Sequence, residues 1–325
     1  AKQAIAPHVP SWEEAGQFDR LLYTQAAELG LLGLGYPEHL GGTPAPWRAR
    51  NMLSQTLARH GGSGGVMASL FSHNIGLPPV LRWGSDALQR EVIPPVLRGE
   101  KIAALAITEP GGGTDVAALR TTARLDGDHY VVDGEKVFIT SGMRADWITM
   151  AVRTGEAGSK GAGGISMLLV PGDAAGLSRS PLQKMGWWCS DTAHLRMDGV
   201  RVPAANLLGA EGGGFALAQA RLGPGRVHHC MRTIGQCELA LELMCERAME
   251  RMAFGRHLSD FANVQDWIGH SRVEIDQARL LLLQTAWRLD KGQGDAGQLR
   301  SDIAAVKVVT AQLQTQVLDR VIQIF

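Results

Sequence analysis

The sequence has 325 residues, 45% hydrophobic and 20% charged, and its 32 basic and 32 acidic side chains cancel. This length exceeds the usual size of one domain, and the composition is that of a globular protein with a large core. The balanced charge argues against a nucleic-acid partner, and no apolar run approaches the ~20 residues of a membrane span.

Residues 1–103 have the pattern of helices. The run WEEAGQFDRLLYTQAAELGLLGLGYPEHLGG has helical periodicity and ends in glycines and a proline. The run APWRARNMLSQTLARHGG predicts a second helix, and GSDALQREVIPPVLRGE completes the region. We therefore expect an N-terminal α-helical domain over residues 1–103.

Residues 104–211 have the pattern of strands. The segment HYVVDGEKVFIT contains two β-rich runs joined by Asp133-Gly134, which predicts a hairpin with a type I′ turn. The β-rich runs DWITMAVRT, GGISMLLVPG and AHLRMDGVRVP follow, with turn residues between them. Because no helical pattern alternates with these strands, we expect a middle domain built as a β-barrel or sandwich.

Residues 212–325 return to a helical pattern and carry three apolar stripes. In each stripe apolar side chains recur every three or four residues, which predicts long amphipathic helices packed side by side. The last stripe is still in phase at Phe325, so we expect the C-terminal bundle to need at least one helix beyond this residue. The stripes cover residues 234–252, 264–289 and 306–324.

The four cysteines, Cys189, Cys230, Cys237 and Cys245, include no Cys-x-x-Cys pair. This spacing favours free buried thiols over a metal site or disulfides. Reduced thiols suit an intracellular compartment.

The segment GQGDAG at residues 292–297 matches the G-x-G-x-x-G dinucleotide fingerprint letter for letter. That fingerprint functions directly after a strand and at the start of a helix, whereas here it follows the helical run LLLLQTAWRLD. We interpret it as a loop between two helices, and the sequence makes no case for NAD.

Two segments of the middle region indicate a cofactor site. In ITEPGGGTDVAAL, residues 107–119, three glycines allow backbone N–H groups to approach a ligand, and Thr108 and Thr114 add hydroxyl groups. Such a concavity of donors suits a pyrophosphate or the carbonyl edge of a flavin. In KVFITSG, residues 136–142, Phe138 and Thr140 lie on the same side of a strand, where a planar ring could pack.

The ordered set of motifs resembles the acyl-CoA dehydrogenase family over the whole chain. The motifs are AAELGLLGLGYPEHLGG, ITEPGGGTD, VVDGEKVFITSG, KMGWWCSDTAHLRMDGVRVPAANLLG, RLGPGR, ERMAFGRHLSDF and VIQIF. The resemblance implies an α+β fold with an N-terminal helical domain (1–103), a middle β-barrel domain (104–211) and a C-terminal helical bundle (212–325), which is incomplete here. It also implies homodimers or homotetramers, a role in fatty-acid β-oxidation, and a location in a bacterial cytoplasm or the mitochondrial matrix.

The resemblance implies FAD as the cofactor. Phe138 would flank the isoalloxazine, Thr140 would bond near N5, and Arg251 and Phe254 would reach the FAD of a neighbouring subunit. Gln323 resembles an adenine-side contact. The full set of implied FAD contacts is Leu105, Ile107, Thr108, Gly113, Thr114, Phe138, Ile139, Thr140, Arg251, Phe254 and Gln323.

The implied reaction is α,β-dehydrogenation of an acyl-CoA thioester, with hydride transfer to flavin N5 and onward electron transfer to an electron-transfer flavoprotein. Hydrogen bonds to the thioester oxygen would acidify the α-carbon. A carboxylate base is required, but Gly225 stands where some relatives have Glu, so we expect the base beyond Phe325. We interpret Asp191 as a residue that caps or braces the β-domain. The implied substrate contacts are Thr114, Ser190, Gly223, Pro224, Gly225 and Arg226.

The run RLGPGRVHHCMR departs from the commonest family pattern, which suggests a divergent branch acting on longer or branched acyl chains. Two other functions are compatible with the same fold. One is an acyl-CoA oxidase or flavin monooxygenase, in which reduced flavin meets oxygen. The other is a non-catalytic or DNA-associated flavoprotein, which would carry a basic extra domain.

Overall fold

The structure is a computed structural model that describes residues 1–155, 161–293 and 295–325, without the side chains of 220–222 and 224. These residues form two compact units, each assembled from separate stretches of the chain. A helical unit consists of Ala1–Val9, Ala45–Gly64 and Gly223–Phe325, and a β unit consists of Pro10–Pro44 and Gly65–Leu222.

Helical regions flank a central β region along the chain, so the predicted α+β class is confirmed. The domain boundaries at residues 103 and 211 stay a prediction. The helices are α1 (Val9–Ala15), α2 (Leu21–Glu28), α3 (Trp47–Gly61), α4 (Gly64–Leu70), α5 (His73–Trp83), α6 (Asp86–Leu97), α7 (Gly214–Glu250), α8 (Ala262–Lys291) and α9 (Ala296–Ile324).

The β unit is built on one sheet, which has eight strands in the part of the chain that the structure describes. Its strand order is β6-β7-β3-β2-β4-β5-β8, and β1 pairs in parallel with β4. The strands are β1 (Ala103–Ala106), β2 (Thr122–Asp126), β3 (His129–Thr140), β4 (Trp147–Arg153), β5 (Ile165–Pro171), β6 (Leu177–Pro181), β7 (Thr192–Pro203) and β8 (Leu207–Leu208).

Helix α5 packs directly on strand β1, which leads into the glycine-rich segment. A Cβ at Gly76 would lie 2.8 Å from the carbonyl oxygen of Ala104, so only glycine allows the helix this close to the strand. The Ser72 hydroxyl donates to Ala103 O at 2.9 Å, and the Thr149 hydroxyl donates to Gly76 O at 2.7 Å. These contacts fix the start of the segment that follows β1.

The predicted hairpin at Asp133-Gly134 is wrong. Strand β3 runs unbroken from His129 to Thr140, and the two-residue turn lies earlier, at Gly127-Asp128, because Asp126 pairs with His129. Gly134 lies within β3 with φ +142°, and a Cβ there would come within 2.8 Å of Thr121 Cα. This glycine therefore serves a close backbone approach rather than a turn.

Strand β3 pairs with β7 through two register shifts. In the first shift β7 carries the extra residue, because Val132 pairs with Val200 but Gly134 pairs with Met197. In the second shift β3 carries the extra residue, since Lys136 pairs with Leu195 and Ile139 pairs with Ala193, a step of three residues on β3 and two on β7. The β3 bulge includes Phe138, whose φ is +62°.

The helical unit confirms the three predicted apolar stripes as α7, α8 and α9, which share one core with buried Ile234, Ile275 and Leu313. The fingerprint-like GQGDAG segment is the connection between α8 and α9. Gly292 ends α8 in the left-handed conformation, and Asp295 caps α9 through Gln298 N at 2.8 Å. Residue 294 of this segment lies outside the described residues.

A buried ionic network links α3, α7 and α8. Glu238 on α7 is 5% exposed and accepts a hydrogen bond from Gln55 Nε2 at 2.7 Å. Its other oxygen pairs with Arg279 of α8, which also contacts Asp276. One turn further along α7, Glu242 forms an exposed pair with Arg59 of α3.

Candidate functional site

The glycine turn, residues 109–113, lies three residues after the end of strand β1 in the β unit. Glu109 N donates to Gly112 O at 3.1 Å and Gly112 N donates to Glu109 O at 3.0 Å, so the turn closes on itself. The N–H of Gly112 is therefore not available to a ligand. A Cβ at Gly111 or Gly112 would meet nothing within 4 Å, whereas a Cβ at Gly113 would lie 2.9 Å from Thr108 Cγ2.

The glycine turn lies beside the end of strand β3. Val137 N donates to Thr108 O at 2.9 Å, which places the segment before the turn alongside the bulge that carries Phe138. Phe138 is 68% exposed and Thr140 is partly buried. Val137, which precedes Phe138, and Ile139, which lies between Phe138 and Thr140, are buried. The structure thus brings together the two segments that the sequence indicated.

The bulge explains why Phe138 and Thr140 face outward. Before the bulge the even-numbered residues Tyr130, Val132 and Lys136 of β3 are buried and Gly134 is partly buried. An uninterrupted alternation would turn Phe138 and Thr140 inward as well. The extra residue reverses the alternation, so a large aromatic ring leaves the core at the position beside the glycine turn.

Two of the predicted contact residues in the β unit have buried side chains. The side chain of Ile139 is 2% exposed and packs in the sheet core, so only its backbone could contact a cofactor. Ser190 is also buried, and its hydroxyl bonds the Ser69 hydroxyl at 2.8 Å. Ser190 nonetheless borders a cavity of about 610 Å³ that Lys184 and Trp188 also line.

Asp191 braces the turn that follows β3, as the sequence suggested. Its carboxylate accepts from Met143 N and from Arg144 Nε, both at 3.0 Å, and its carbonyl accepts from Ser141 N at 2.9 Å. Arg179 donates to the Gly142, Met143, Ala145 and Gly172 carbonyls from the other side. These contacts hold Ser141 in the left-handed region, with φ +60°, directly after Thr140.

In the helical unit the predicted cofactor residues are exposed. Phe254 is 96% exposed and lies with Gly255 at the tip of a hairpin between β9 (Met252–Ala253) and β10 (Arg256–His257). Both tip residues have positive φ, 54° and 79°, which matches a type I′ turn and is unusual for phenylalanine. Arg251 and Gln323 are also exposed.

The predicted substrate residues of this unit lie on α7. Gly223 and Gly225 are partly buried and Arg226 is exposed. The backbone of Pro224 is helical, and its side chain lies outside the described residues.

The sequence analysis missed a buried ion pair behind the glycine turn. Lys136 is fully buried, and its Nζ donates to Glu109 Oε1 at 2.9 Å and to Ile107 O at 3.1 Å. Glu109 also accepts from Arg120 N at 2.7 Å, from Thr121 N at 2.9 Å and from the Thr121 hydroxyl at 2.5 Å. The signal for this pair in the sequence was Lys136, a charged residue at a position of a strand that faces the core.

Burial and charge act in opposite directions on this pair. Burial raises the pKa of the Glu109 carboxyl, but the Lys136 charge and the hydrogen bonds from Thr121 and Arg120 outweigh it and hold this pKa below its usual range. Burial lowers the pKa of the Lys136 ammonium to about 8, against the opposing attraction of Glu109.

The lowered pKa of Lys136 predicts that the free energy of unfolding of the native sequence rises with pH, relative to that of Lys136→Met, between pH 8 and pH 10. Between a folded-state pKa of about 8 and the unfolded value of about 10.4, the unfolded chain binds the additional proton, so this group favours folding more as pH rises. Urea unfolding should therefore show the free-energy difference between the native sequence and Lys136→Met increasing from pH 8 to pH 10. A decrease over this interval would contradict the assignment, since the remaining lysines are common to both proteins.

Within residues 1–155, 161–293 and 295–325 the structure has neither a cluster of candidate metal ligands nor a helix suited to crossing a membrane. No group of three or more His, Cys, Asp and Glu side chains is arranged to hold a metal ion in these ranges. None of the helices in the described part of the chain combines the length and the apolar character needed to cross a membrane.

Comparison with known proteins gives matches to three models in chain order: acyl-CoA dehydrogenase N-terminal domain (residues 1–100), middle domain (104–200) and C-terminal domain (212–325). The chain is 34% identical to the cyclohexane-1-carbonyl-CoA dehydrogenase of Geobacter metallireducens, covering 97% of this chain and 83% of that protein.

Solved structures agree. A probable acyl-CoA dehydrogenase from Mycobacterium abscessus matches with a TM-score of 0.95 at 38% identity, over 100% of this chain and 85% of that one. A chain in the structure titled as the electron transferring flavoprotein of Acidaminococcus fermentans matches with a TM-score of 0.92 at 29% identity, over 99% and 83%. Since all three domain models match in order and these relatives align over nearly all of the sequence, the chain belongs to the acyl-CoA dehydrogenase family and is an oxidoreductase of that family.

Proposed function

We propose that the chain catalyses FAD-dependent α,β-dehydrogenation of an acyl-CoA thioester to the trans-2-enoyl-CoA. One observation carries the proposal beyond family membership. The bulge of β3 turns Phe138 out of the core directly beside a glycine turn with open space in front of Gly111 and Gly112. Exposing a phenylalanine in a strained conformation adds nothing to the stability of the folded chain, which favours a ligand-binding role.

The residues around the glycine turn and the bulged end of β3 fit FAD. The exposed ring of Phe138 offers a flat apolar surface, the Thr140 hydroxyl lies two residues on, and Thr108 and Thr114 flank the glycine turn. When bound, FAD supplies the acceptor for the hydride that leaves the β-carbon. The remaining proposed contacts are Leu105, Ile107, Gly113 and the Ile139 backbone here, and Arg251, Phe254 and Gln323 toward the FAD of a neighbouring subunit.

On the substrate side we propose that Thr114 and Ser190 contact the CoA arm and that 223–226 contact the acyl thioester. The chain's role is to orient the thioester and to polarise its carbonyl, which acidifies the α-carbon. Asp191 is not the base, because both of its carboxylate oxygens are held by Arg144 and Met143. Glu109 is likewise committed to Lys136 and Thr121.

We propose an electron-transfer flavoprotein as the electron acceptor and a homodimer or homotetramer as the assembly. Support for the acceptor comes from the matching chain in the electron transferring flavoprotein structure of Acidaminococcus fermentans. Tetramers are typical of the family. Phe254, at the tip of the β9–β10 hairpin, and Arg251, three residues earlier, are exposed. They offer a surface that a second subunit could use.

An anaerobic titration of the FAD-loaded protein tests this function. Acyl-CoAs of different chain length and branching should bleach the flavin absorbance in stopped flow, and reoxidation by air should then be slow. Rapid reoxidation with peroxide formation would instead identify an oxidase or a monooxygenase. No bleaching with any thioester would contradict dehydrogenation and would favour a non-catalytic flavoprotein.

A further inference from the structure

We propose that the buried Lys136–Glu109 pair is a positioning device, which holds the glycine turn against the bulged end of strand β3 so that both contact one cofactor. This inference rests on the proposed function for its purpose. Its structural part, the attachment of the turn to the strand, stands on the contacts alone.

The pair adds side-chain hydrogen bonds between two segments that share one backbone hydrogen bond. Residues 107–113 lie outside the strands, and one backbone bond, Val137 N to Thr108 O at 2.9 Å, connects them to β3. Lys136 adds two bonds across the same gap, to Glu109 Oε1 at 2.9 Å and to Ile107 O at 3.1 Å. Lys136 is the last paired residue of β3 before the bulge that contains Phe138. Its side chain therefore attaches the turn to the strand next to Phe138.

Glu109 connects the pair to the far side of the turn. Its carboxylate accepts from Arg120 N, Thr121 N and the Thr121 hydroxyl, immediately before strand β2. The backbone of Glu109 exchanges two hydrogen bonds with Gly112. One side chain therefore links the entry of the turn, its exit and the neighbouring strand.

The chemistry of the pair favours positioning over stability. A buried ion pair contributes little net stability, because desolvation of both charges offsets their attraction, and apolar residues of similar volume often serve the fold as well. Its value is directional, since each donor and acceptor has a fixed partner. The lowered pKa values of Glu109 and Lys136 are consistent with a charged pair at pH 7.

The test compares Lys136→Met with Lys101→Met in the full chain. Lys101 forms an exposed pair with Asp146 at 2.9 Å in the same unit, so the control makes the same chemical change at the surface. FAD is added at pH 7, and its dissociation constant and visible circular dichroism are measured. Amide exchange over residues 109–121 is measured in the same proteins without FAD.

The inference predicts that Lys136→Met raises the FAD dissociation constant at least tenfold, alters the flavin dichroism, and speeds amide exchange over residues 109–121. Lys101→Met should do none of these. Unchanged FAD affinity and unchanged exchange in a Lys136→Met protein of lower stability would overturn it and leave the pair a plain element of the fold.

Two further outcomes can each be interpreted: a Lys136→Met protein that does not fold, and a native sequence that does not bind FAD. If Lys136→Met does not fold, the double variant Glu109→Gln/Lys136→Met removes the unpaired buried carboxylate, and the same affinity and exchange results decide. If the native sequence fails to bind FAD, the proposed function is contradicted. The exchange experiment then still decides whether the pair holds the turn, because it is made without the cofactor.

Discussion

Replacing Gly112 with valine should weaken FAD binding about 100-fold, equivalent to about 2.8 kcal/mol, with little effect on folding. The Cβ at this position would meet nothing within 4 Å, and Gly112 does not have a positive φ, so the protein itself has room for a side chain. If a cofactor approaches the turn here, a branched side chain would occupy its space. Flavin fluorescence titration measures the affinity, and urea unfolding should stay within about 0.5 kcal/mol of the native value.

Gly163 provides the matched control. It is an exposed glycine in the same unit, has no positive φ, and would also place a Cβ in open space. Gly163→Val should therefore leave both stability and FAD affinity unchanged. If Gly112→Val binds FAD as tightly as Gly163→Val does, the glycine turn does not contact the cofactor.

Replacing Glu238 with alanine should lower the free energy of unfolding by about 3–5 kcal/mol, because it removes the buried acceptor of Gln55 and leaves the largely buried Arg279 guanidinium with only the more exposed Asp276. Glu238 is 5% exposed and is the shared acceptor of Gln55 and Arg279. The substitution would therefore remove the polar contacts through which Glu238 of α7 binds α3 and α8. Equilibrium urea unfolding measures the change.

The control for this prediction is Glu242→Ala, one turn along the same helix. Like Glu238, Glu242 pairs with an arginine, in this case Arg59 of α3, but the Glu242 side chain is 42% exposed. Exposed pairs contribute at most about 1 kcal/mol, so a small effect is expected. Equal losses in the two variants would show that burial does not distinguish the two pairs.

The helices were predictable and the details of strand β3 were not. The apolar stripes of α7, α8 and α9 depend on a period of 3.6 residues, which the sequence displays directly. Asp133-Gly134 has the preferred sequence of a hairpin turn, but Gly134 is needed because Thr121 packs against it. Tertiary contact decided the conformation there, and no local pattern records such a contact.

The candidate site was predictable in its segments but incompletely in its side chains. Phe138 and Thr140 were expected on one side of a strand, and the structure turns both away from the core. A bulge reverses which side of a strand faces inward, so Ile139 is buried and Phe138 is exposed. The pairing of Lys136 with Glu109 joins residues 27 apart and needed coordinates to be recognised.

The two register shifts between β3 and β7 compensate each other. Before the first shift paired residue numbers sum to 332, as for Val132 and Val200; between the shifts Lys136 and Leu195 sum to 331; after the second Thr140 and Thr192 again sum to 332. Deleting Phe138 would therefore remove the bulge and keep the pairs Lys136–Leu195 and Ile139–Ala193, because each strand would then have one residue between its two paired positions. The exposed aromatic ring beside the glycine turn would be lost, while the end of β3 would stay paired with the same residues of β7. The extra residue in β3 thus determines which side chain leaves the core and does not determine how the strand ends are paired.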